Sequence, residues 1–278
     1  MSPSQRRAAA VVIIAELDMS QRRACQIVGL SRTTLRRPLQ ATMPDDPDAA
    51  YRQHLRAYAA AHPRWGYRRA HHDAVAAGWR VNHKKTQRLW REEGLRVPER
   101  RHRKRRGQST TPVVKAQYPG HVWAIDFQYD IIDDGRKFRS VSIVDEYTRE
   151  SLADHTATSI TGSDVTALID RIAARRGHPK ILRSDNGPEF VSDAVAAWAK
   201  KKLDLLFIPP GQPWHNGYVE SFHARQRDEC LNVHIFGSLA EARAVIAAWH
   251  KEYNTIRPHS ALGYKTPAAY AADYAEVA

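Results

Sequence analysis

Cysteine and long apolar runs are both scarce in this 278-residue chain, and each scarcity excludes a class of protein. The two cysteines, Cys25 and Cys230, are too few for a disulfide framework or a cysteine-rich zinc site. No apolar run approaches the roughly 20 residues that a membrane span needs, and the apolar stretch 8–17 lacks a signal-type cleavage pattern. We therefore expect a cytoplasmic protein with no membrane partner.

Acidic residues are scarce in the first part of the chain. Residues 1–117 hold 25 Lys or Arg and 9 acidic residues, a net charge of +16, whereas residues 118–278 hold 18 and 21, a net of −3. A domain that holds polyphosphate gains affinity by displacing counterions, while a core that binds metal through carboxylates need not be basic. The distribution predicts a nucleic-acid-binding front half joined to a near-neutral second half.

Residues 20–37 have the pattern of a helix, a tight turn at Gly29 and a second helix. The apolar face of the first helix consists of Ala24, Ile27 and Val28. The second helix carries three cations that could enter a DNA major groove, Arg32, Arg36 and Arg37. The pattern predicts a helix-turn-helix module over residues 1–42, although a helical hairpin with a solvated basic face would look the same.

Residues 50–98 predict a second helical DNA-binding module, whose third helix begins at Asn82 and ends near Gly94. One face of that helix carries Lys84, Lys85 and Arg88. Residues 99–119 predict a basic linker, which begins with a run that cannot form packed structure and is expected to follow phosphates or to act as a spacer. Its cations include Arg101, Arg103, Lys104, Arg105 and Arg106.

The pattern changes to strands after residue 118. Strands are predicted over residues 121–132, 137–148, 150–158, 180–184 and 205–208, by alternation or by short buried runs. Helices are predicted over residues 163–176 and 189–201, and a further helix is predicted from about residue 216. Three strands followed by alternating helices and strands predict an α/β fold, a mixed sheet with helices on its faces.

Three carboxylates stand in local sequences that would expose them at one edge of this sheet. They are Asp126 in VWAIDF, Asp185 in SDNGPEF and Glu220 in HNGYVESF. Like charges brought close together destabilise a fold unless a cation neutralises them. The three acids therefore predict a divalent-metal site and metal-dependent phosphodiester chemistry.

Four segments carry a resemblance to a known family: SDNGPEF, NGYVESF, DECL at 228–231 and YNTIRPHSALGY at 253–264. They resemble segments of the DDE transposases of bacterial insertion sequences, whose core is similar to that of retroviral integrases. The resemblance covers about residues 20–270. It implies a ribonuclease-H-like fold over residues 120–270, including a C-terminal helix. It also implies that the three acids bind Mg²⁺ or Mn²⁺, as two ions. The 34 residues between Asp185 and Glu220 are one fewer than is usual in that family.

Other residues near the three acids are candidates for supporting roles. Arg227 lies two helical turns after Glu220 and, by the resemblance, contacts the DNA strand that enters the site. Asn186 and Asn216 either support the site or simply form turns. Asp145 is expected either to support the metal ligands indirectly or to be structural, and Glu189 is expected to begin a helix. His215 and His223 either touch the site or, as is commoner, lie on the surface.

The resulting hypothesis is a transposase catalytic subunit that cleaves and joins DNA strands at the ends of a mobile element. A DNA-binding regulator with an idle nuclease-like core is the alternative, and a structure-selective nuclease is a third possibility. Expected partners are DNA and further copies of the chain. The resemblance also implies fusion or partnership with a helix-turn-helix protein from an upstream reading frame.

Overall fold

The computed structural model describes residues 3–36, 46–97, 114–209 and 213–275. The chain divides into two compact units, Met1–Ala57 and Tyr58–Ala278. Among the described helices, none combines the length and the apolar character that crossing a bilayer requires.

The first unit contains the predicted helix-turn-helix pattern. Its helices are α1 Pro3–Leu17, α2 Gln21–Val28 and α3 Arg32–Arg36. Gly29 ends α2 with a φ of 65°, a left-handed conformation that glycine adopts without strain. The core contains Cys25, whereas Ile27 is 54% exposed, so the prediction that Ile27 packs inside was wrong.

Three helices follow, and the last two lie in the second unit. Their bounds are α4 Ala49–Ala61, α5 Tyr67–Ala76 and α6 His83–Glu92. The Asn82 side chain accepts a hydrogen bond from the Lys84 amide, which fixes the start of α6 as predicted. Leu89 and Trp90 are buried, so the cationic face of α6 points away from its packed side.

A five-stranded mixed sheet forms the centre of the second unit. Its strands are β1 Val122–Ile131, β2 Lys137–Asp145, β3 Ser151–Ala157, β4 Ile181–Ser184 and β5 Asp204–Phe207. They lie in the order β3-β2-β1-β4-β5, and β1, β2 and β3 are antiparallel neighbours. The pairs β1–β4 and β4–β5 are parallel. All five predicted strands are present.

Helices cover both faces of the sheet. Their bounds are α7 Gly162–Arg176, α8 Asp193–Ala199, α9 Gly217–Glu229, α10 Leu239–Thr255 and α11 Pro267–Ala275. Side chains of α7 and α8 pack with Trp123 and Ile125 on one face. Side chains of α9 and α10 pack with Ala124 and Val144 on the other. This layered α/β architecture confirms the predicted fold class.

One predicted helix is shorter than expected. Ser192 caps α8 by accepting a hydrogen bond from the Val195 amide, so the helix starts at Asp193 rather than at 189. Glu189 lies before that cap, where its carboxylate forms an ion pair with Arg139. The prediction that Glu189 begins a helix was therefore wrong.

Candidate active site

The sheet register brings Asp126 and Asp185 to one level. Ala124 of β1 pairs with Arg183 of the parallel strand β4. Two residues farther along each chain are Asp126, within β1, and Asp185, directly after the end of β4. Since residues two apart in a strand share a face, Asp126 lies on the face of Ala124, which α9 covers.

Glu220 approaches from α9. The helix packs on the sheet through the buried side chains of Val219 and Phe222, which fixes its position over β1 and β2. Glu220 stays exposed in the first turn of α9, while Val219 beside it is fully buried. The three acids thus come from two adjacent strands and the helix that covers them.

The charges of the three acids act on one another. Burial, together with the negative charges of Asp185 and Glu220, raises the pKa of Asp126 to about 7, against the effect of a 2.7 Å hydrogen bond from the Phe127 amide. Burial also raises the pKa of Glu220. Asp126 therefore lies near enough to the other two acids for their charges to act on it.

The chemistry of the three carboxylates suits a divalent cation. Among the described residues, no three His, Cys, Asp or Glu side chains form a ready-made metal cage. The acids nevertheless supply hard oxygen ligands, which Mg²⁺ and Mn²⁺ prefer. A cation between them would also relieve the repulsion that raises the pKa of Asp126.

The loop after β4 holds Asp185 through backbone contacts. The Gly187 amide donates a 3.0 Å hydrogen bond to Asp185 Oδ1. Asn186 Nδ2 donates instead to the Ile208 carbonyl, at 2.8 Å, which ties the loop to the end of β5. Asn216 Nδ2 donates to the Ile125 carbonyl at 3.4 Å. Direct support of the site by either asparagine stays a prediction.

Gly187→Ala is expected to lower metal-dependent strand cleavage about 10- to 100-fold, because small displacements of reacting groups are costly. An added Cβ would lie 3.0 Å from Asp185 Oδ1 and 3.4 Å from the Phe190 ring, so the carboxylate must shift. Cleavage rates across a Mg²⁺ titration measure the effect. Gly66→Ala is the matched control, since its Cβ would meet nothing within 4 Å; equal rates for both variants would contradict the expectation.

His223 is a site neighbour that sequence reasoning underrated. Its Nδ1 lies 3.6 Å from Asp126 Oδ2, and only 11% of its side chain is exposed. Burial, followed by the charge of Arg227, lowers the pKa of His223 to about 4. His223 follows Glu220 by three residues, and this spacing on one face of α9 is the signal that could have identified it.

Asp145 and its neighbour Glu146 have structural partners. Asp145 accepts hydrogen bonds from the amides of Gly120, Tyr147 and Thr148, which confirms its predicted structural role. Glu146 accepts a 2.7 Å hydrogen bond from Arg183 Nη1, and both side chains are almost fully buried. No pattern in the sequence indicated this buried ion pair.

The predicted DNA contacts are only partly described. Arg227 donates to the Tyr129 carbonyl and lies 3.4 Å from the Asp130 carboxylate, with 39% of its side chain exposed. Exposed cations on α3 and α6 are Arg32, Arg36, Lys84, Lys85 and Arg88. Arg37, Arg101, Arg103, Lys104, Arg105 and Arg106 lie outside the described residues. DNA contact by all of these residues stays a prediction.

Known families match most of the chain. Residues 116–213 and 201–267 match the integrase core domain, and residues 46–105 match an HTH-like domain. A chain of a simian T-cell lymphotropic virus intasome, solved in complex with PP2A regulatory subunit B56 gamma, has a TM-score of 0.50 and 15% identity. The match covers 71% of this chain and 69% of that one, and this likeness supports the ribonuclease-H-like fold.

Proteins of two bacterial insertion elements are close in sequence. A 31.7 kDa protein of insertion element IS407 from Burkholderia multivorans is 42% identical over 262 residues, covering 93% of each chain. A 39.2 kDa protein of insertion element IS476 from Xanthomonas euvesicatoria is 40% identical over 275 residues, covering 99% of this chain and 79% of that one. Identity at this level over nearly the full chain, joined to the core match, shows that this protein belongs to the insertion-sequence transposases with an integrase-like core.

Proposed function

We propose that this protein is a transposase catalytic subunit that cleaves DNA strands at insertion-element ends and joins them to target DNA. The observation that carries the proposal is the placement of Asp126 and Asp185 at one level of adjacent strands, with Glu220 on the covering helix. The negative charges of both other acids raise the pKa of Asp126, as is expected of residues that share a cation site.

The three carboxylates would hold Mg²⁺ or Mn²⁺. When bound, two such ions activate the attacking water or 3′-hydroxyl and stabilise the leaving oxygen. The protein fixes its ligands through backbone amides, Phe127 for Asp126 and Gly187 for Asp185. Neutral His223 adds no positive charge that would compete with a cation.

DNA binding is assigned to the basic front half. The proposed modules are residues 1–42 and 50–98, joined by the linker 99–119 to the core 120–270. Exposed cations on α6 favour contact with phosphates, because they lie opposite the buried Leu89 and Trp90. The proposal includes action as a homo-oligomer on DNA in the cytoplasm, and fusion or partnership with an upstream-frame helix-turn-helix protein.

A strand-joining assay tests the proposal. Purified full-length protein receives labelled, pre-cleaved element ends, supercoiled target DNA and Mg²⁺ or Mn²⁺, and the expected result is a covalently joined product. Cleavage without joining would indicate a structure-selective nuclease. Binding of the ends with neither reaction, in the presence of the upstream product as well, would indicate a regulator with an idle core.

A further inference from the structure

A basic cleft lies in the second unit beside α9. It has a volume of about 510 Å³, within the range of ligand-binding pockets. Its cationic lining consists of Arg69, Lys115, Arg149, Arg183, Arg225 and Arg257. No Asp or Glu is among the described residues that line it. Two of the six, Arg183 and Arg257, are paired with acids behind the lining. The charged groups among the described lining residues are all cations, which favours an anion in the cleft.

Two of these arginines are fixed in place by buried acids. Arg257 donates from Nε and Nη2 to the Glu229 carboxylate at 2.7 and 2.6 Å, and both side chains are under 5% exposed. Arg183 is held by Glu146 and also donates to the His215 carbonyl at 3.2 Å. These two guanidinium groups are therefore held in place before a ligand binds, which lowers the entropy cost of binding.

Arg149 has unused hydrogen-bonding capacity. Its backbone has a φ of 64°, a left-handed conformation that is strained for arginine. Its guanidinium lies 3.9 Å from the centre of the Tyr218 ring. Its Nη1 is buried and has no hydrogen-bond partner among the described residues. A buried donor without an acceptor is rare, and in a cleft it indicates a place for an acceptor oxygen from a ligand.

The positive charge of the cleft also affects its other titratable groups. Burial, together with the charge of Arg257, lowers the pKa of Arg69 to about 10. Burial lowers the pKa of His259 to about 3, with Arg257 and Arg69 contributing. Each cation thus makes its neighbours harder to protonate, and an anion in the cleft would reverse the effect.

The cleft adjoins the carboxylate site along α9. Tyr218, Ser221 and Arg225 line it, whereas Glu220 and His223 lie on the neighbouring face of the same helix. Arg225 follows Glu220 by five residues, which is about 7.5 Å along the helix axis. A DNA strand that passes Glu220 can therefore reach the cleft with a nearby phosphate.

We propose that this cleft binds a backbone phosphodiester of the DNA strand that passes the carboxylate site. The ligand class follows from guanidinium groups, whose planar donors suit phosphate oxygens. The proposal rests on the proposed function for the presence of DNA. A polymer phosphate fits better than a free nucleotide, because the guanidinium of Arg149 already covers the Tyr218 ring that a base would need for stacking.

Salt-dependent DNA binding tests the proposal in EDTA, where no strand chemistry occurs. Anisotropy titrations of a labelled duplex with the full-length protein give log K against log salt concentration. Arg149→Gln should reduce the magnitude of the slope by about one, since one phosphate contact is lost. Lys115→Glu changes an exposed rim residue and should weaken binding without affecting the fold. Arg175→Gln and Arg175→Glu, at an exposed position of α7 across the sheet, are the matched controls.

Slopes for both cleft variants equal to those of the Arg175 variants would overturn the proposal. A melting-temperature rise with inorganic phosphate or a mononucleotide that Arg149→Gln abolishes, together with an unchanged DNA slope, would overturn it in favour of a free anion. If only the strand-joining assay fails, the slopes of log K against log salt concentration should still differ as expected. The assay therefore tests the proposed function, and the slopes test the cleft.

Discussion

Asp126→Asn is expected to reduce Mg²⁺-dependent strand cleavage and joining at least about 100-fold. Loss of a group that only orients a metal ligand typically costs about 10- to 100-fold, and loss of a proposed ligand itself should cost more. Asp126 is the most enclosed of the three acids, and both of the others act on its charge. Asp185→Asn and Glu220→Gln should have effects of similar size. Single-turnover rates on labelled element ends measure the loss, and binding of the same DNA should persist.

Asp204→Asn is the matched control. Asp204 is exposed at the start of β5, at the end of the sheet away from the three acids, so its removal changes the net charge equally. An Asp126→Asn protein that cleaves as fast as the Asp204→Asn protein would refute the assignment.

The same substitution should stabilise the metal-free fold. Folding raises the pKa of Asp126 from 3.8 to about 7, so the native state holds the proton more tightly and stability falls as the pH rises between these values. At about pH 8 in EDTA the asparagine variant should gain at most about 4 kcal/mol of stability, since each unit of pKa shift corresponds to about 1.4 kcal/mol. Mg²⁺ should raise the melting temperature of the wild type more than that of the variant.

Most of the sheet was predictable, because alternation in β1 assigns each residue to a face. Asp126 and Ile125 were separated in this way, and the structure places Ile125 in the core beneath α7. The first residue of α8 was not predictable. Ser192, three residues after Glu189, caps the helix and shortens it. In the first unit Cys25 is buried, whereas Ile27 was expected to be. Both residues have helical spacing, and only packing decides which one is buried.

The charged interior was the least predictable part. Arg183 and Glu146 are 37 residues apart, and each alone resembles an ordinary surface residue. Their pairing depends on the registers of β1 with β2 and of β1 with β4, which the sequence does not specify. His223 was underrated for a related reason, because its burial depends on how α9 meets Asp126.

Arg183→Met is expected to destabilise the second unit by about 3 to 5 kcal/mol at about pH 8, since removal of one partner leaves a buried, unpaired charge. The side chains of Arg183 and Glu146 are 2% and 0% exposed. Burial raises the pKa of Glu146 to about 7, while Arg183 acts to lower it. Without Arg183 the carboxyl should protonate more readily, so the loss of stability should be smaller at about pH 6. Chemical denaturation at both pH values measures this difference.

A second substitution separates the buried charge from lost packing. Arg183→Met combined with Glu146→Leu removes both charges, and apolar replacement of a buried pair is often neutral. The double variant should therefore recover most of the lost stability and lose the pH dependence.

Arg136→Met, which breaks an exposed pair with Asp134, is the control and should change stability by less than about 0.5 kcal/mol. A loss of similar size in the single and double variants, at both pH values, would show that Arg183 acts through its packing and not through its charge. Arg183 and Asp185 lie two residues apart, so the pair that anchors β4 also determines where one proposed metal ligand leaves the sheet.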